Sequence, residues 1–202
     1  FTCAIFDTHQ MKCWGKLGDI AVGKSKEEMG DNLPFINAPS SSLIEDVACS
    51  HSSLCVIRKY FNDVYCVGDT RDIKDFHLHA YSLKYLLKDY YEEHPLAIKA
   101  TKDYDVYCVL YAANSFFFKN YLRCFPARPG EETYTVQGDR KPVLPTDPYD
   151  IVKFNQDVGS IVDFTLGSRH ACVRTDTDQF ACWGNDILSE GASFQTFENI
   201  KS

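Results

Sequence analysis

The chain has 202 residues, a formal net charge of −7 at neutral pH, a pI near 5.3, and nine cysteines. The acidic balance excludes nucleic acid as a natural partner, because phosphate binding needs a basic face. No apolar run approaches the ~20 residues of a membrane span, and nine cysteines are about twice what a reduced cytosolic domain of this size carries.

In chain order, the first element is FTCAIFDTHQMKCWG, from Phe1 to Gly15. It reads as a β-hairpin: an apolar segment with Cys3, a polar tip at Asp7-Thr8, and an apolar segment with Cys13. A short strand-like stretch follows at residues 42–50 (SLIEDVACS), then a second hairpin, LCVIRKYFNDVYCVG, with Cys55 and Cys66. Residues 71–95 form an insertion in which Leu83, Leu86, Leu87 and Tyr90 fall at helical spacing, with Ser82 as N-cap and Pro95 beyond the end. This predicts an amphipathic helix that lies back on the sheet or docks on a partner subunit. Residues 94–101 (HPLAIKAT) are the next linking segment, and VYCVLYAANSFFFKNYLRCFP is a third hairpin with Cys108 and Cys124. A proline-rich arm spans residues 128–149. Residues 160–167 (SIVDFTLG) lead to the fourth hairpin, HACVRTDTDQFACWG, with Cys172 and Cys182.

The first cysteines of the four hairpins are 52, 53 and 64 residues apart, the size of one propeller blade, a sheet of about four strands. This divides the chain into blade-like repeats at about 1–41, 42–93, 94–159 and 160–202. Cysteines facing each other on adjacent antiparallel strands have α-carbons close enough for a bridge. Disulfides are therefore the leading expectation for the four pairs, with buried thiols as the alternative. Zinc fits less well, since no close Cys-x2–4-Cys knuckle occurs. Cys49 is left over, as a small buried residue of a linking strand or an intermolecular bridge. Asp69, Asp72 and Asp75 precede His77 and His79 but match no defined metal loop, so no metal and no cofactor are expected. No Gly-rich phosphate loop, nucleophile elbow or Cys/His pair stands out, and no enzyme activity is expected.

With these residues in view, the chain resembles the regulator of chromosome condensation repeats, whose pattern is an apolar strand, Gly-x-x-His-x-Cys-Ala, a turn, and Cys-Trp-Gly. The fourth copy carries it in Gly167, His170, Cys172, Cys182, Trp183 and Gly184, the first in Cys3, Cys13, Trp14 and Gly15, followed by Met29-Gly30-Asp31-Asn32-Leu33-Pro34. The middle copies depart: Ser50 stands in the glycine position, Val67 and Phe125 in that of tryptophan, and Pro126 in that of the last glycine. The resemblance implies an all-β fold, a partial or shared β-propeller of about four blades. In it Trp14 and Trp183 pack between blades, the glycines permit turns, and His170 satisfies a backbone carbonyl. Four hairpins against three linking segments, and a start at Phe1, suggest a processed product or a fragment of a larger propeller.

These features predict a non-enzymatic scaffold for protein–protein interaction or assembly, extracellular, on a cell surface or in a secretory lumen. Its partners would be other subunits: copies of the same chain or the rest of a larger propeller. Two alternatives come from the resemblance: a guanine-nucleotide exchange factor of the Ran-regulator type, and a proteinaceous enzyme inhibitor.

Overall fold

The computed structural model describes residues 1–17, 20–23, 25–36, 43–51, 53–68, 81–82, 94–102, 106–113, 119–126, 159–168, 170–184 and 195–196. These residues form four antiparallel sheets that follow one another along the chain. Blade 1 holds β1 (Thr2–Ile5), β2 (Met11–Leu17) and β3 (Ile20–Val22). Blade 2 holds β4 (Ile44–Cys49), β5 (Ser53–Arg58), β6 (Asp63–Gly68) and β7 (Tyr81–Ser82). Blade 3 holds β8 (Pro95–Ala100), β9 (Val106–Tyr111) and β10 (Tyr121–Pro126); blade 4 holds β11 (Ile161–Leu166), β12 (His170–Thr175), β13 (Gln179–Gly184) and β14 (Gln195–Thr196). Helical structure among the described residues is limited to two single 3₁₀ turns, Lys26–Glu28 and Gly30–Asn32.

The linking segments of the sequence are β4, β8 and β11, each paired with the first cysteine strand of its blade. All three carry a bulge at the same place: the register shifts between Ile44 and Asp46, between Pro95 and Ala97, and between Ile161 and Asp163. An extra residue there tightens the local twist, and the shared position marks the strands as copies of one unit. The turn into the cysteine strand is closed by a matching bond in blades 2 and 4, Ser50 N to Ser53 O at 3.0 Å and Gly167 N to His170 O at 2.8 Å. Ser50 therefore makes the bond expected of a glycine without needing one. Two insertions were legible only in part. Tyr81–Ser82 pairs with Tyr65 and Cys66 as the outer strand of blade 2, whereas the expected helix through Leu83, Leu86, Leu87 and Tyr90 lies outside the described residues, as does the proline-rich arm at 128–149.

The core is divided among the blade interfaces. Side chains on a strand alternate between faces, so β5 sends Leu54 and Val56 toward blade 1 and Cys55 and Ile57 toward blade 3. On β9, Tyr107, Val109 and Tyr111 meet blade 2 while Val106, Cys108 and Leu110 meet blade 4. All six residues of β5 and of β9 are buried, which explains their near-continuous apolar runs. Among the described residues no blade has a core of its own. Each sheet is stable because a neighbour covers it, the energetic logic of repeat proteins.

Candidate interaction surface at the hairpin tips

The eight paired cysteines face each other in register and are bridged: Cys3–Cys13, Cys55–Cys66, Cys108–Cys124 and Cys172–Cys182, with α-carbon separations of 4.0–4.1 Å. Cys49 is the free cysteine. Each bridge clamps a hairpin across its two strands, leaving the tip between them as the variable part. Trp14 is half-buried against the blade 1–2 core. Gly15 has φ +97°, and a β-carbon there would crowd the Phe1 backbone. Gly167 is covered by the His170 ring, which occupies the space a β-carbon would need. His170 Nδ1 is buried, and among the described residues it makes no hydrogen bond to the carbonyl that the repeat pattern leads one to expect. Trp183 and Gly184 pair with Ala171 and His170 in the ladder. These positions shape the repeats.

The tip of blade 2 departs from ordinary turn chemistry. Arg58 and Asp63 face each other across β5 and β6, both buried, with Arg58 Nε donating to Asp63 Oδ1 at 2.7 Å and an Arg58 Nη2–Asp63 Oδ2 contact completing a two-pronged pair. The guanidinium lies 4.3 Å from the Phe61 ring centroid and 4.1 Å from that of Tyr65. Burying two charges is unfavourable unless each is matched, and here the forked geometry and the flanking rings supply the match. The result is a braced platform at the base of the tip.

On that platform sit Tyr60 and Phe61, 77% and 44% exposed. Tyr60 has φ +72° and Asn62 +50°. For asparagine this is ordinary; for a bulky tyrosine it costs about 1–2 kcal/mol. The neighbouring Lys59 Nζ lies 2.7 Å from His9 Nε2, at the tip of blade 1, and His9 Nδ1 is 3.2 Å from the carbonyl oxygen of Ile44. With Lys59 donating to Nε2, the imidazole carries its proton on Nδ1 and donates to Ile44. The two tips are thereby fixed to one another. Beside His9, Phe6 and Phe35 (43% and 41% exposed) meet edge-to-face at 5.6 Å, with Lys12 Nζ 4.8 Å from the Phe35 centroid.

The arrangement is a surface of exposed rings with two lysines, on rigid supports. It suits protein recognition, where aromatic anchors with few rotatable bonds contribute most of the contact energy. Among the described residues no group of three or more His, Cys, Asp or Glu could hold a metal ion, while Asp69, Asp72, Asp75, His77 and His79 lie outside them. Read from the sequence, the tips are polar turns, and this surface is not apparent. A signal was available: Tyr60-Phe61 stands where a hairpin of this kind normally carries turn-forming polar residues.

No protein-family model matches the chain, and no curated protein does. Solved structures do. Prp20p from Saccharomyces cerevisiae, described with its binding properties to Gsp1p and histones, aligns with a TM-score of 0.59 at 12% identity, covering 98% of this chain and 49% of that one. Yeast RCC1 (Prp20) bound to Kap60 aligns with a TM-score of 0.59 at 11% identity, covering 98% and 48%. The fold is thus that of an RCC1-like β-propeller, and the chain spans about half the length of these structures.

Proposed function

We propose that this chain is a non-enzymatic, secreted or surface-exposed propeller scaffold that binds another protein through the aromatic tips of blades 1 and 2. One observation carries the reading: Tyr60 is 77% exposed in a backbone conformation unfavourable to it, on a tip braced by a buried ion pair. A strained, solvent-facing aromatic on a rigid support is a poor solution for folding and a good one for an anchor. The four hairpin bridges are compatible with an oxidising, extracellular setting.

The test is lysine cross-linking of the native complex, with the contact sites read by mass spectrometry. Cross-links to a partner should concentrate on Lys59 and Lys12 and vanish in Tyr60→Ser/Phe61→Ser, a double variant that keeps all four bridges. Unchanged cross-linking in that variant defeats the proposal. Loss of partner cross-links only on deleting residues 71–95 would move the surface to Leu83, Leu86, Leu87 and Tyr90. A second reading draws on the fold shared with Prp20p: exchange activity on a Ran-type GTPase. A nucleotide-release assay with Ran decides it, and acceleration by this chain would replace the scaffold reading.

A further inference from the structure

The disulfides of blades 1, 2 and 3 are each met by the linking strand of the following blade. The last residue of each linking strand pairs with the residue just before the first cysteine: Cys49 with Leu54 in β4–β5, Ala100 with Tyr107 in β8–β9, and Leu166 with Ala171 in β11–β12. These three positions are equivalent. Ala100 packs on the cluster that contains Cys55 and Cys66, and Leu166 on the one that contains Cys108 and Cys124. Both are inert hydrocarbon. At the first interface the same position holds a thiol, and Cys49 Sγ lies 3.4 Å from Cys3 Sγ.

We propose that Cys49, Cys3 and Cys13 form a thiol–disulfide exchange site, which converts the bridge within blade 1 into a bridge between blades 1 and 2. Cys49 gives up its proton and its sulfur attacks Cys3 Sγ. The Cys3–Cys49 bond forms as the Cys3–Cys13 bond breaks, and Cys13 leaves as a thiolate that takes up the proton. One thiol and one disulfide stand on each side, so no oxidant or reductant is consumed. Cys13 is fully buried, so the released thiol stays in the interface and the step can reverse. The new bridge would close a loop of sequence separation 46 in place of 10, tying two blades whose union otherwise rests on non-covalent packing. Burial pushes the Cys49 thiol up to about 12, against the opposing pull of the Phe1 amino group, so at neutral pH the protonated thiol predominates and the exchange is slow.

The experiment incubates the native, metal-free protein at mildly alkaline pH, quenches aliquots in acid, then denatures them, labels thiols with a maleimide and maps bridges without reduction. The expected result is a Cys3–Cys49 peptide that grows with time together with label on Cys13, while the other three bridges stay unchanged. Label confined to Cys49 at every time point overturns the proposal. A second variant, Cys13→Ser, removes the competing partner and should give a Cys3–Cys49 bridge on oxidative refolding. Two free thiols in the folded variant would count against the site in the same way, and failure of that variant to fold leaves the wild-type time course to decide.

Discussion

The hairpin tips of blades 2 and 4 occupy the same place in the same repeat and are built on opposite principles. In blade 4 the tip is Asp176-Thr177-Asp178, held without a buried charge: buried Thr175 accepts the Gln179 N–H at 3.1 Å and lies 3.0 Å from the Thr177 hydroxyl, while exposed Asp176 Oδ1 accepts the Ser160 N–H at 2.9 Å and exposed Asp178 lies 3.7 Å from Arg174. Its left-handed residue is Asp178, φ +56°, a type that tolerates the conformation, and its side chains face solvent. In blade 2 a buried ion pair replaces the hydroxyls, Asn62 takes the place of Asp178 four residues before the second cysteine, Tyr60 adds a second left-handed position, and rings rather than carboxylates face solvent. The blade 4 tip does what a turn must do to join two strands. Everything added in blade 2 exceeds that requirement, and the excess points outward. A repeat protein thus contains its own control: the plain copy shows which features of the elaborate copy folding does not demand.

The largest expected effect breaks the elaborate tip. Asp63→Asn leaves the Arg58 guanidinium buried beside a neutral amide and should cost about 3–5 kcal/mol in urea denaturation. Replacing both partners, Arg58→Met with Asp63→Leu, should recover most of that loss, because no charge is then left buried. A single-variant cost below about 1 kcal/mol would mean that water reaches the pair and that the pair does not brace the tip. On the plain tip, Thr175→Val keeps the side-chain shape but leaves the Gln179 N–H without its acceptor, a cost of about 1–3 kcal/mol by the same measurement. The blade 4 variant should not alter partner binding; the blade 2 variants should.

The difference in legibility between the two tips is physical. Hairpins, blade spacing and the bridged register were readable because cysteines on facing strands must share a register, and because period-2 alternation records which face is covered. The three linking strands were readable for the same reason. Their shared bulges were not, because a bulge is a matter of one unpaired residue and leaves little trace in composition. β3, β7 and β14, of three, two and two residues, are too short to carry a pattern. The blade 2 surface was missed because its logic is cross-strand and cross-blade: nothing in the sequence ties Arg58 to Asp63, or His9 to Lys59 across 50 positions. Cys49 was visible as the odd cysteine, but its contact with Cys3 depends on how two blades stack.

Tyr60→Gly sharpens the comparison. Glycine adopts φ +72° freely, so the variant should gain about 0.5–1 kcal/mol after allowance for the greater freedom of glycine in the unfolded chain. Asp178→Gly, at the same kind of backbone position on the plain tip, should gain less. If Tyr60→Gly is more stable yet loses partner cross-links, the strain at Tyr60 is maintained for binding. If it is more stable and binds equally, Tyr60 is not the anchor, and Phe61 with the Phe6–Phe35 pair must carry the surface.

The smallest effect lies one layer inward, where the bulged linking strands repeat the contrast. Asp46 on β4 accepts the backbone N–H of Ile98 on β8 at 2.9 Å, whereas Asp163 on β11 is met by the mobile charge of Lys99, whose Nζ lies 3.1 Å from Oδ1 and also contacts the Phe164 carbonyl. The Lys99 hydrogen bond, helped by the Phe164 N–H, holds the Asp163 carboxyl below its ordinary value of 3.8. A lowered folded value means the ion pair's contribution is fully present above 3.8 and is lost as the pH falls through the folded value. The pair is largely solvent-exposed and therefore screened, so the loss should be about 0.5 kcal/mol. Asp163→Asn should remove that part of the acid dependence of stability while leaving the neutral-pH value lower by the same small amount. Because the Ile98 N–H is a backbone donor fixed by β8, Asp46→Asn should cost more than Asp163→Asn at neutral pH. No measurable cost at either position would mean that the polar contacts of the bulges add nothing to the joining of the blades.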